Sequence, residues 1–104
     1  MTVTFFSNYL NHLQTSFCDE LYRHYGDKFV FVSTLPLPKE RLNSGYQDCS
    51  EYPYNLSSYV DNKNYERALR LGIESDVVII GSAPEVFVRE RIRLNKVIFR
   101  YYER

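Results

Sequence analysis

The spacing of apolar residues switches several times between the period of a strand and that of a helix. Residues 2–7 (TVTFFS) form a short β-branched and aromatic run and read as a first strand. Leu10, Leu13, Phe17, Cys18, Leu21 and Tyr25 then recur at helical spacing, and Gly26 stands where such a helix would end. Residues 28–34 (KFVFVST) return to strand character. From Leu35 to Asn55 the period is lost, broken by Pro36, Pro38, Gly45 and Pro53. A connection of about 20 residues is long for a compact domain and marks a functional or mobile loop. Leu56–Val60 reads as a short third strand. Asp61 or Asn62 then caps a helix whose apolar face is Tyr65, Ala68, Leu69, Gly72 and Ile73.

Val77-Val78-Ile79-Ile80 is an unbroken β-branched strand, and such a run cannot alternate between a wet and a dry face. It therefore predicts a strand of a parallel sheet covered by helices on both sides. Gly81-Ser82-Ala83-Pro84-Glu85 follows at once. Ser82 and Glu85 have the spacing of a capping box, with Pro84 in the first turn, which predicts a helix from about Ala83 to Leu94. In that helix Val88 and Ile92 point inward, while Arg89, Glu90, Arg91 and Arg93 are solvated. Val97–Phe99 is the last strand and leads into Arg100-Tyr101-Tyr102-Glu103-Arg104.

Alternating strands and helices imply a parallel sheet with right-handed crossovers. The expected fold is α/β, a Rossmann-like three-layer αβα sandwich over residues 1–104, with a mainly parallel five-stranded sheet in the order 3-2-1-4-5. In such sheets ligands bind beyond the carboxyl ends of the strands, where the strand order reverses. The final apolar strand has no helix after it to cover its face, so the chain reads as the first piece of a larger protein.

Composition narrows the possibilities. The formal net charge is zero and the basic residues are dispersed, so nothing points to a nucleic-acid backbone as partner, and none is expected. No apolar stretch reaches the roughly 20 residues of a bilayer span. Met1-Thr2-Val3-Thr4-Phe5-Phe6 lacks the basic and long apolar regions of a signal peptide. Cys18 and Cys49 form no zinc pattern and are expected to remain thiols in a cytoplasmic chain. Many of the tyrosines crowd into residues 46–65 and suggest an aromatic loop surface, on which Tyr46, Tyr52, Tyr54 and Tyr59 could stack against sugar rings.

The turn after the first strand, Ser7-Asn8-Tyr9-Leu10-Asn11-His12, has no glycine, so the cradle of a dinucleotide pyrophosphate is missing. A P-loop, a phosphoacceptor acidic cluster and a metal-ligand pattern are missing too, and no cofactor is expected. Three groups remain at predicted strand ends. Asn8, Asn11 and His12 follow the first strand, where His12 either binds a hydroxyl or acts as general base, or merely opens the helix. Gly81 and Ser82 either hold an anion or a sugar hydroxyl on backbone N–H groups, or form a plain turn. Arg100, Glu103 and Arg104 either wall a cleft or are solvated chain-end charge.

Three stretches carry a resemblance: Val3–Gln14 (VTFFSNYLNHLQ), Asp76–Glu85 (DVVIIGSAPE) and Phe99–Arg104 (FRYYER). Together, in this order, they resemble the N-terminal part of bacterial GT-B glycosyltransferases of the group related to families 1 and 4. The resemblance implies two Rossmann-like domains facing a cleft, the N-terminal one receiving a sugar or glycolipid acceptor and the other holding a nucleotide-sugar donor. It nominates Asn8 with His12, Gly81 with Ser82 and Glu85, and Arg100 with Glu103 as acceptor-side residues, and His12 as catalytic base. The acidic donor-binding motif of such enzymes has no counterpart here, so the chain alone is expected to be inactive. A cytoplasmic place at the inner face of the membrane is implied, by peripheral association. A rival reading is a non-catalytic Rossmann-like interaction or regulatory module.

Overall fold

The computed structural model describes residues 1–43, 49 and 51–101. Its sheet has five strands, β1 (Val3–Ser7), β2 (Phe29–Ser33), β3 (Asn55–Ser57), β4 (Val77–Ile80) and β5 (Ile98–Arg100), all parallel and in the order β3-β2-β1-β4-β5. This is the expected α/β architecture. β1 lies at the centre, paired with β2 on one side and β4 on the other, and all five of its residues are buried. A run with no polar alternation is what a strand covered on both faces requires.

On one face α1 (Thr15–Tyr25) lays Cys18, Leu21, Tyr22 and Tyr25 over Val3, Phe5, Phe29 and Phe31. Gly26 ends this helix with a φ of 57° and sends its N–H back to the Tyr22 carbonyl. On the other face α3 (Asn62–Glu74) and the segment 85–93 cover Phe6, Val32, Val78 and Ile80. Asp61 caps α3 by accepting the Asn64 N–H at 2.7 Å. α3 reaches its neighbour only because residue 72 is glycine: a Cβ there would stand 1.9 Å from the carbonyl oxygen of Phe87. The closeness lets Phe87 stack on Phe6, with ring centroids 5.3 Å apart.

Several expectations fail in instructive ways. The helix expected over Ala83–Leu94 is instead a 3₁₀ turn at Glu85–Phe87 followed by the five-residue α4 (Arg89–Arg93). Ser82 makes no capping bond, and Pro84 is extended with ψ of 141° rather than in a first helical turn. Val88, at φ −122° and ψ 0°, breaks the two pieces apart so that Phe87 and Val88 both enter the core. Ile92, expected inward, is exposed.

Arg91, expected in solvent, is only 1% exposed. Its Nε donates to the Val97 carbonyl at 2.6 Å, Nη1 to those of Gly72 at 3.2 Å and Ser75 at 2.6 Å, and Nη2 to that of Asp76 at 3.0 Å. A further Nη1 contact reaches the Ile73 carbonyl at 3.4 Å. One guanidinium thus satisfies the carbonyls left over where α3 ends, where β4 begins and where the chain enters β5.

Smaller corrections concern ends and loops. α1 begins at Thr15 rather than near Leu10, because the Asn11 side chain accepts the Leu13 N–H at 2.9 Å and holds the preceding residues in a turn. The irregular connection after β2 contains a short helix, α2 (Lys39–Asn43), begun by the Arg41 N–H donating to the Pro38 carbonyl. β3 is shorter than expected, and Tyr59 and Val60 beyond it are exposed. β5 is shifted one residue along from Val97–Phe99. Tyr52, Tyr54 and Tyr59 do not form a common surface. Tyr54 is buried between Tyr22 and Phe29 with its hydroxyl on Asp19 at 2.8 Å, and Tyr52 packs against it. Tyr46 lies outside the described residues.

β4 is not covered equally on its two sides. Val78 and Ile80 are buried, while Val77 and Ile79 are half-buried. Over them, between Phe17, Tyr101 and the exposed Phe99, lies an apolar groove of about 330 Å³.

Candidate functional site

The parallel register brings the carboxyl ends of the strands to one level. Ser7 is opposite Ser33, Ser33 opposite Ser57, Phe6 opposite Ile80 and Ile80 opposite Arg100. The loops leaving them form a continuous rim. Asn8, Gly81, Ser82 and Arg100 all leave the sheet at this edge, on both sides of the point between β1 and β4 where the strand order reverses.

The rim begins with hydroxyl groups that finish the ladders. The Thr34 hydroxyl donates to the Ser7 carbonyl at 3.0 Å, and the Ser58 hydroxyl to the Ser33 carbonyl at 3.1 Å. The Asn8 carbonyl accepts the N–H groups of Thr34 at 2.8 Å and Leu35 at 2.7 Å, tying the loop after β1 to the loop after β2. The Asn8 side chain accepts the Tyr9 N–H at 2.7 Å through its amide oxygen and is half-buried.

At the reversal point, the Gly81 N–H donates to the Phe6 carbonyl at 2.8 Å, extending the β4 ladder by one bond. A side chain at this position would bring its Cβ within 3.1 Å of the Ser7 hydroxyl oxygen, so glycine allows the two strand ends to stay close. The Gly81 N–H is therefore committed to the sheet. Ser82 beyond it is exposed. The Glu85 carboxylate and the Arg100 guanidinium form an ion pair at 3.0 Å, joining the loop after β4 to the end of β5. Both partners are about half exposed, so the pair orders side chains more than it stabilises the fold.

The residues nominated from sequence thus separate by role. Asn8, Gly81, Ser82, Glu85 and Arg100 stand along one edge. His12 is exposed on the loop after β1, and its carbonyl accepts the Thr15 hydroxyl at 3.1 Å. Asn11 is buried, and its side chain shapes the turn before α1. Glu103 lies outside the described residues. Between Tyr9, Pro36 and Tyr59 the rim has a notch of about 80 Å³, floored by Ser33. The larger apolar groove lies on the face of the sheet and is lined in part by Arg100 and Tyr101. Among the described residues no group of three or more His, Cys, Asp or Glu side chains could hold a metal ion, and no helix is long and apolar enough to cross a membrane.

The buried hydroxyls at the strand ends were missed from sequence, although Ser7 and Ser33-Thr34 each close an apolar run. Arg91 was also missed. Phe87, Val88 and Arg91 share helical spacing, and that placed Arg91 on the inward side; the neighbouring Arg89 and Arg93 hid the pattern.

Displaced titrations lie elsewhere. Burial, with Asp19 adding to it, pushes the Cys18 thiol up to about 12. Burial and the bond to Asp19 raise the Tyr54 hydroxyl. Hydrogen bonds from the Thr2 N–H at 2.8 Å and the Thr2 hydroxyl at 3.1 Å lower the Asp76 carboxyl. Comparison with known protein families, curated sequences and solved structures finds no match to this chain.

Proposed function

We propose that the chain forms the acceptor-side unit of a glycosyltransferase that moves a sugar from a nucleotide-sugar donor to a sugar or glycolipid acceptor. The observation that carries this reading is the common edge shared by Asn8, Gly81-Ser82 and the Glu85–Arg100 pair, at the strand-order reversal of a Rossmann-like sheet. Open α/β sheets take their ligands at that place. The groups there suit hydroxyl-rich molecules. An amide NH₂ and a guanidinium donate, a carboxylate accepts, and a serine hydroxyl does both, which matches sugar hydroxyls that are themselves donors and acceptors. Ring stacking falls to Tyr9 and Tyr59 beside the notch, since Tyr54 is engaged in the core. His12, on the loop that carries Asn8, is the base that would take the acceptor's proton. The nucleotide-sugar belongs to a second unit, because the turn after β1 lacks the glycines that would admit a pyrophosphate. The proposed setting is the cytoplasmic face of the membrane.

Amide-shift titration of the chain tests this reading, using a panel of mono- and disaccharides, a short-chain glycolipid, and UDP and GDP. The expected result is that at least one glycan probe shifts resonances of residues 8–12, 81–85 and 100–101, while the nucleotides shift none. Rim resonances that ignore every glycan, or that respond to a nucleotide alone, would refute it.

A further inference from the structure

We draw no further inference here: the strongest candidate, the apolar groove over β4 and β5 bounded by Phe17, Ile79, Phe99 and Tyr101, is an unpartnered sheet face, and nothing in the structure shows what covers it.

Discussion

Replacing Arg91 with Met keeps most of the aliphatic stem and removes the guanidinium that closes the corner between α3, β4 and β5. The carbonyls of Gly72, Ser75, Asp76 and Val97 then lose a charged donor at 2.6 to 3.2 Å. Hydrogen bonds of that kind contribute about 1.5–3 kcal/mol each. They do not add, because one side chain makes them all and the corner can relax as a unit. Water can also reach part of the gap, since a cavity of about 230 Å³ lined by Asp76 and Lys96 adjoins Arg91. The expected loss is therefore about 3–5 kcal/mol, since the four carbonyls, at about 1–3 kcal/mol each for an unsatisfied acceptor, are only partly relieved by relaxation and water. Against a total of about 5–15 kcal/mol that is a large fraction. At about 4 °C per kcal/mol it lowers the midpoint of thermal unfolding by about 12–20 °C. Arg91→Lys should fall between, because an ammonium supplies three donors from a single point and cannot span the corner. Urea unfolding followed by far-UV circular dichroism and tyrosine fluorescence measures the loss, the chain having no tryptophan. An Arg91→Met protein within about 1 kcal/mol of the parent, with an unchanged denaturant slope, would refute the reasoning.

Gly72→Ala should destabilise by at least about 2 kcal/mol, although alanine is the better helix former by about 1 kcal/mol, since its Cβ collides with the Phe87 backbone; a stability equal to the parent in the same urea assay would show that α3 and the 85–88 segment separate freely. The Asp76 carboxyl titrates below its ordinary value because Thr2 donates to it, so its contribution is present above the usual Asp range near about 3.9 and is lost as pH falls through the lower folded value. The stability gap between the parent and Asp76→Asn should accordingly shrink as pH is taken from 6 towards 2, and a gap independent of pH would contradict the assignment. With its thiol pushed up to about 12, Cys18 should react with a disulfide reagent at pH 8 only as the protein unfolds. Labelling followed by peptide mass analysis would disprove this if Cys18 were modified much faster than global unfolding.

The sequence conveyed the sheet better than its covering. Strand runs that alternate with helical periods, except across Leu35–Asn55, specify a parallel sheet, and Val77–Ile80 matched its strand because four β-branched residues leave little freedom. Coverage of that strand was misjudged on one face, since a β-branched run is compatible with full burial but cannot produce the helix that would complete it. The 83–94 segment misled for a related reason. Ser82, Pro84 and Glu85 are sound local helix signals, yet burial of Phe87 beside Gly72 required a break at Val88, and packing overrode propensity. For the rim, Asn8, Ser82 and Arg100 were legible because the end of a strand can be read from where its apolar run stops. Roles such as that of Asn11, turned inward to build its own loop, depend on side-chain hydrogen bonds that no spacing reveals.

β1 is made before both of its neighbours and sits in the middle of the finished sheet, with Val3 paired to Phe29 on one side and Val77 on the other. Its second neighbour therefore emerges from the ribosome some seventy residues later. At about 5–20 residues per second, the TVTFF segment waits several seconds with one flank unsatisfied. This apolar segment therefore appears well before it can be enclosed, so chaperone capture during translation should concentrate on it.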